Sequence, residues 1–408
     1  MNVTVKMACR NLRRNIRRTV LTLSAIAFSC ILLVFMLSFQ LGMYDQMIET
    51  ALSVHTGHIQ IQANGYDDNH DMNKFVTDPD TVMAVINDLD GINAMAKRSN
   101  GFGLLSSRDR TYGGLVIGID PLKEANITSI HSAMIEGEYL EPDDFGQALI
   151  GVTLAENLKI GIGDDLVVLG QGREGAMAAM IYTVKGLFRT NLEEFDRSTI
   201  RITRSDFDET FNMHGAVHEI VIRADSLKRV PVLVTQIRQY LTGSLVALDW
   251  DALLPGLVQG IEIDLYGGII MYVILVIVVA FSILNTFLMA VFERKREFGV
   301  LMALGARPGR ICRLLLIESL IMTALGLIIG TALGILVTQY YVNVGISIPG
   351  VGEFIKEFGI PERMYPVLSI KSILIGPTMI LAITMMSAIY PALKAFHIKP
   401  VDALAIAK

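Results

Sequence analysis

Glu293-Arg-Lys-Arg-Glu-Phe-Gly-Val-Leu-Met-Ala-Leu-Gly-Ala-Arg-Pro308, continued by Gly-Arg-Ile-Cys-Arg313, lies between two long apolar runs. Leu265 to Phe292 before it is almost wholly apolar, and Leu314 to Tyr341 after it contains one acid, Glu318. Each run can cross a hydrocarbon core of roughly 30 Å as a helix. The charged stretch is therefore expected as a short basic connector held at a membrane surface.

Composition agrees. The chain has 408 residues, 52% hydrophobic and only 18% charged, with a mean hydropathy of +0.49. That is too apolar for an ordinary globular protein, and the charges are bunched. Lys6, Arg10, Arg13, Arg14, Arg17 and Arg18 precede a first apolar run from Val20 to Met43, and six Lys or Arg residues fill the connector. A fourth run, Ile370 to Leu393, is followed by Lys394, Lys399 and Lys408. Lys and Arg collect on cytoplasmic flanks, so four spans with both ends inside are expected.

The expected order is a basic cytoplasmic segment 1–19, a span 20–43, an extracytoplasmic domain 44–264, a span 265–292 and the connector 293–313. A span 314–341, an outer loop 342–369, a span 370–393 and a cytoplasmic tail 394–408 complete it. The domain, about 220 residues, is large enough for its own core. The net charge of -5 then hides an asymmetry, because the cytoplasmic pieces are basic and the outer ones acidic. The basic residues are explained by topology, and no nucleic-acid role is indicated.

A cleaved signal peptide is the other reading of the first run, with Ala27-Phe-Ser-Cys30 loosely like a lipoprotein cleavage box. The run continues to Met43, too long for such an apolar core, so a retained span is preferred. The cysteines Cys9, Cys30 and Cys312 all fall inside or within spans, which leaves the outer domain to fold without disulfides.

Met43, Met47, Ala51 and Val54 keep helical spacing beyond the first run, and Leu254, Leu257, Val258, Ile261 and Leu265 do so before the second. Both spans should therefore continue outward as helices, able to act as stiff levers or simply to pack on the domain. Within the domain, Gly57 to Gln62 alternates as a strand and Asp80 to Leu89 reads as a helix. A β-rich middle, about 121–204, includes Ala148 to Gly151, Asp165 to Leu169, Tyr182 to Phe188 and Ser198 to Ile202, after a strand at Gly114 to Ile119. His218 to Arg223 reads as a strand and Val230 to Leu241 as a helix. The expected fold class is an α-helical membrane protein with four transmembrane helices and a large α+β domain between the first two. Within that domain an α/β part carries a β-rich insert.

No catalytic constellation emerges. The phosphate-binding Gly-x-x-x-x-Gly-Lys-Ser/Thr pattern does not occur, so ATP chemistry is not expected of this chain. His55 and His58, and His214 and His218, have spacings that a metal could use. Spacing three running into a strand points two rings to opposite faces, so surface or hydrogen-bonded histidines and no metal are expected. Asp143-Asp144, Glu193-Glu194 and Asp206 with Asp208 read as solvated faces.

In the third span Gly326, Gly330 and Gly334 recur every four residues, a face on which another helix can approach closely. Glu318 needs a partner such as Arg313 or access to the interface. Asn285 in the second span suits an interhelical hydrogen bond, and Tyr390-Pro391 should end the fourth span. In the connector, Glu293 and Glu297 share a helix face, Phe298, Leu301 and Met302 form an apolar stripe, and Gly305 with Pro308 ends the helix.

Glu293 to Ala306, Leu314-Leu-Leu-Ile-Glu-Ser319, Tyr390-Pro-Ala-Leu-Lys-Ala395 and Pro400-Val-Asp-Ala-Leu404 together resemble the permease domain of MacB/FtsX-type ABC transporters. The layout is similar to that of the lipoprotein-releasing LolC and LolE permeases. Gly57-His-Ile-Gln-Ile61, and Ala148 to Ala155 before Gly163-Asp164, extend the resemblance over the whole chain. It implies a dimer of permeases, the same chain or a sibling, in the inner membrane of a bacterium of Gram-negative type. A separate cytosolic ATPase would dock beneath and hold the ATP, with no cofactor in this chain. Glu293, Arg296, Glu297, Leu301 and Leu304 would face that ATPase, and its closure would pass through the first two spans to a porter-like outer domain. Release of lipoproteins is the preferred role. Export of a peptide, drug or other amphiphile with a periplasmic adaptor or chaperone is the alternative, and regulation of cell-wall hydrolases a third.

Overall fold

The computed structural model describes residues 3–190, 192–347 and 363–397. Pro400 to Leu404 of the C-terminal motif, Lys399, Lys408, the side chain of Cys9 and residues 348–362 of the expected outer loop lie outside the described residues. The chain forms two compact units, one built from Met1–Tyr44 with the segments after Ile261, the other from Asp45–Gly260.

The first unit is helical. Among the described residues four helices are long and apolar enough to cross a membrane: Ile16–Thr56, Pro255–Glu293, Pro308–Val344 and Ile370–Phe396. A shorter helix, Val3–Arg14, precedes them. Ile26, Cys30, Leu33 and Val34 of the first long helix form a buried cluster with Val276, Ile283 and Phe287 of the second, Met322 of the third and Ile380 of the fourth. The helical pattern read beyond the first run is present: the α-helix Ile16–Ala51 passes into a π turn, Leu52–Thr56. The fourth helix corrects an expectation, because it continues through Pro391 to Phe396. An interior proline costs about 3 kcal/mol. Here the turn beyond it is held by Ala392 and Ala395, which pack against Val291, Phe298 and Ile311.

The second unit is built on a sheet of ten strands: β1 Ile59–Ala63, β2 Ile92–Ser106, β3 Thr111–Ile119, β4 Met134–Gly137, β5 Gln147–Gly151, β6 Asp165–Gln171, β7 Met177–Phe188, β8 Thr199–Thr203, β9 Glu219–Ala224 and β10 Leu245–Asp249. The hydrogen-bonded order is β10-β1-β9-β2-β3-β8-β5-β7-β4, with β6 bridging β2 and β7. β2 is the joining strand. Its first part pairs with β9, its last residues pair with β6, and β3 runs along its other edge.

Two cores result. Ile59, Ile61, Ile220 and Ile222 pack under the helices Pro79–Ile86 and Val230–Tyr240. Val116, Ile150, Val168, Tyr182 and Ile202 pack under Val152–Leu158 and Arg204–Phe211. Asp78 caps its helix by accepting from Thr81 N–H, which is why the segment after Asp78-Pro79 is helical. A third cluster, with Ile117, Ile119, Leu149 and Phe188, receives Val54 from the π turn.

Candidate connector site and its surroundings

Glu293 is the last residue of the second long helix, and the connector helix proper is Lys295–Ala303. The two acids therefore sit on different elements and not on one helical face. Gly305 adopts φ +93°, beyond the reach of most side chains, and its N–H returns to Met302 O at 3.0 Å. Pro308 opens the third long helix at its first position, where its missing N–H costs nothing.

The apolar stripe faces inward. Phe298 is fully buried, and Leu301 and Met302 pack half-buried with it against Val291, Ile311 and Leu315. Leu301 thus packs in part on the chain's own core. Arg296, Val300 and Leu304 line the opposite, exposed face, with Leu304 80% exposed. Val300 was missed by the sequence reading, although a step of four from both Arg296 and Leu304 points to it.

The acids are held from within the chain. Glu293 Oε2 accepts from Arg18 Nη1 at 3.0 Å, and Arg18 also donates to the carbonyl of Thr286. Glu297 accepts from Arg14 and, at 3.2 Å, from Arg294 Nε. Arg294 Nη1 reaches Glu318 Oε2 at 3.0 Å. Glu318 therefore pairs with Arg294 and not with Arg313, which lies five positions back on its own helix and so on another face. Arg294 is itself mostly buried and lies 5.2 Å from the centre of the Phe298 ring.

The glycines of the third helix meet the first long helix. A Cβ on Gly326 would fall 2.7 Å from Ile26 Cγ2, and one on Gly330 would fall 2.6 Å from Cys30 Cβ and 2.7 Å from the carbonyl of Ala27. At Gly334 the nearest atom, Val34 Cβ, is 3.2 Å away. Cys30 Sγ completes the contact, 3.3 Å from Thr331 Oγ1. Asn285 is exposed on the second helix, flanked by exposed Phe281 and Met289, with no hydrogen-bond partner among the described residues.

In the large domain the buried histidines His58 and His218 are hydrogen-bonded. His218 Nδ1 accepts from Asn100 N–H at 3.0 Å, and His58 Nδ1 accepts from Ala224 N–H at 3.1 Å. Among the described residues no group of three His, Cys, Asp or Glu side chains could hold a metal. Of the other acids read as solvated, Asp206 is buried and accepts from Gly146 N–H at 3.0 Å. Burial pushes its carboxyl up to about 6.

One face of the sheet is apolar and uncovered. Leu104 on β2 stands opposite Leu169 on β6, and Val167 opposite Ile181 on β7, so these side chains share a face. Phe102, Leu104, Leu169, Met177 and Ile181 are all exposed there. The free face of such a sheet is ordinarily polar, and an apolar patch of this kind marks a surface that contacts something else.

Residues 269–400 match the FtsX-like permease C-terminal family, and residues 19–240 match the MacB-like periplasmic core domain. The lipoprotein-releasing system transmembrane protein LolC of Neisseria meningitidis is 22% identical over 95% of this chain and 93% of its own length. LolC of Xylella fastidiosa is 21% identical over 72% of this chain and 74% of its own. The macrolide export ATP-binding/permease protein MacB of Marinobacter nauticus is 22% identical over 98% of this chain and 60% of its own. The solved periplasmic region of MacB from Actinobacillus actinomycetemcomitans covers 52% of this chain and 96% of its own at 10% identity, with a TM-score of 0.36. With both family matches in chain order and one of them over more than half its length, the chain belongs to the MacB/FtsX-type superfamily of ABC transporter permeases.

Proposed function

We propose that this chain is the permease subunit of a transporter that moves lipoproteins out of the inner membrane. A separate cytosolic ATPase drives the movement. The observation that carries the reading is the end-to-end likeness to a lipoprotein-releasing permease, over 95% of this chain and 93% of that protein. The exposed apolar sheet face of Phe102, Leu104, Leu169, Met177 and Ile181 supports it, because an acylated or otherwise amphiphilic cargo needs an apolar surface on leaving lipid.

In this reading the connector and both chain ends are cytoplasmic and the large domain is periplasmic. Arg296, Val300 and Leu304 form the surface offered to the ATPase, since they are exposed together on the face opposite the buried stripe. Glu293 and Glu297 hold that helix to the rest of the chain. A second permease, the same chain or a sibling, would cover the exposed stripe around Asn285. Export of a peptide or drug with a periplasmic adaptor is the second reading, favoured by the match of MacB over 98% of this chain.

Gentle purification from the native membrane, followed by mass spectrometry, tests the proposal. An ATPase with acylated proteins is expected. An ATPase with an adaptor and no acylated protein would transfer the reading to export. Recovery of no ATPase, under conditions that keep a known transporter complex intact, would overturn both.

A further inference from the structure

The first long helix ends against buried charge. Each carbonyl of its π turn has a donor: Gly57 N–H meets Leu52 O at 2.9 Å and Ser129 N–H meets Ser53 O at 2.7 Å. Arg201 Nη2 meets Val54 O at 3.0 Å, Arg98 Nη1 meets His55 O at 2.6 Å and Gln60 Nε2 meets Thr56 O at 2.8 Å. A helix C-terminus carries unpaired carbonyls and about half a negative charge, which water usually satisfies. Here two fully buried guanidinium groups do so, from β2 and β8, the strands on either side of β3.

A single carboxylate ties the two together. Glu124 Oε1 accepts from Arg98 Nη2 at 2.7 Å and from Arg201 Nη1 at 2.9 Å, and all three side chains are fully buried. Burial opposes the charge on Glu124, but the two guanidinium groups outweigh it and hold its carboxyl below the usual range. Glu219 stands 3.8 Å from Arg98, and Asn100 Nδ2 donates to it at 2.6 Å.

Stability alone does not call for such a cluster, because an apolar set of similar volume is often as stable as a buried ionic triad. What the ions add is direction. Guanidinium groups accept only certain placements of the two carbonyls, so they fix the angle and rotation at which the helix meets the sheet.

We infer that Arg98, Glu124 and Arg201 form the joint through which tilt or rotation of the first long helix turns the sheet of the large domain. This rests on the ATPase-driven transport reading proposed above, with closure of the ATPase passing through the first long helix, and it assigns positioning residues to it. The joint is rigid because it is ionic, enclosed and bonded to consecutive carbonyls.

The test uses the full chain with Cys9, Cys30 and Cys312 replaced by alanine and spin labels at Asp45→Cys and Thr183→Cys, both exposed positions. The parent should give one narrow distance distribution. The quadruple variant Arg98→Met, Glu124→Leu, Arg201→Met, Glu219→Gln also removes the carboxylate that faces Arg98 at 3.8 Å, so it leaves no unpaired charge and should still unfold cooperatively while widening the distribution at least about twofold. An intact fold with an unchanged distribution would overturn the joint. If the variant does not fold, hydrogen exchange on the unaltered chain decides. The peptide 52–58 should exchange within about tenfold of strand β8, and faster exchange than that would overturn the inference. Neither readout needs ATPase or cargo, so failure of the joint and failure of the transport reading are separately visible.

Discussion

Arg294 Nη1 lies 3.0 Å from Glu318 Oε2, and this ion pair fastens the start of the connector helix to the interior of the third long helix. Both side chains are mostly buried, at 10% and 14% exposure. In the proposed transport cycle a push on the connector would reach the helix that carries Gly326, Gly330 and Gly334, and through them the first long helix.

Removing one partner of the pair should cost more than removing both. Glu318→Gln leaves the mostly buried Arg294 with, among the described residues, only half-exposed Glu297 as its ion partner and should destabilise by at most about 3 kcal/mol, the low end for breaking a buried pair. Arg294→Met with Glu318→Gln should lie much closer to the parent. Thermal unfolding of the four proteins of this cycle, with Arg294→Met as the fourth, measures it. Additive losses would show that the pair is not an energetic unit.

Glu297→Lys should uncouple ATP hydrolysis from transport; loss of its half-exposed pair with Arg14 should cost under about 1 kcal/mol, and the contact with mostly buried Arg294 adds to that. The geometry adds a rescue that a purely outward-facing Glu297 would not show. Combining it with Arg14→Glu restores opposite charges and should recover most of the coupling, read as cargo released per ATP. A double variant as defective as the single one would mean that Glu297 acts on the ATPase directly.

The membrane helices and most strands were legible because they depend on local pattern: long apolar runs, period-two alternation, and the Asp78-Pro79 and Gly305 signals. β2 was not, although it is the strand that joins the two halves of the sheet. Its centre, Lys97-Arg-Ser-Asn-Gly101, looks like a polar loop, yet Arg98, Ser99 and Asn100 are buried. Their partners, Glu124 and Glu219, are distant in sequence, and no local periodicity announces them. The same holds at the connector, where Glu293 and Glu297 were visible but their partners Arg18 and Arg14 lie more than 270 residues away. Leu301, half-buried against the chain's own cluster, shows a related limit: helical spacing gives a stripe without saying how much of it faces the bundle.

Along the third helix the glycines should differ in tolerance. Gly330→Ala drives a methyl against backbone atoms of Ala27 and should cost about 1 to 3 kcal/mol, because the first helix cannot yield locally. Gly334→Ala meets Val34 at 3.2 Å and needs a shift of only a few tenths of an ångström. Thermal midpoints of the two variants in one detergent compare them. Equal losses would indicate that the close approach at Gly330 is not maintained.

His218 should make the large domain sensitive to acid. Burial lowers its ring from the usual value near 6.5 to about 4. The neutral ring fits its neighbours, since Nδ1 accepts from Asn100 N–H at 3.0 Å and Nε2 faces the carbonyl of Met72 at 3.3 Å. With the folded value depressed, the unfolded chain binds the extra proton first. The stability linked to His218 is then complete above about pH 6.5 and falls by about 3 kcal/mol as pH drops to 4. Asp196 and Asp206, raised by burial to about 6, work the other way, since their protonation as pH falls from 6 to 3.8 favours the fold. The raw pH profile of the parent therefore mixes opposing trends, and a difference measurement isolates the histidine. His218→Gln can keep both hydrogen bonds without titrating, so its unfolding midpoint should decline less between pH 6.5 and 4 than that of the parent. Parallel profiles for the two proteins would show that His218 takes up its proton without unfolding the domain.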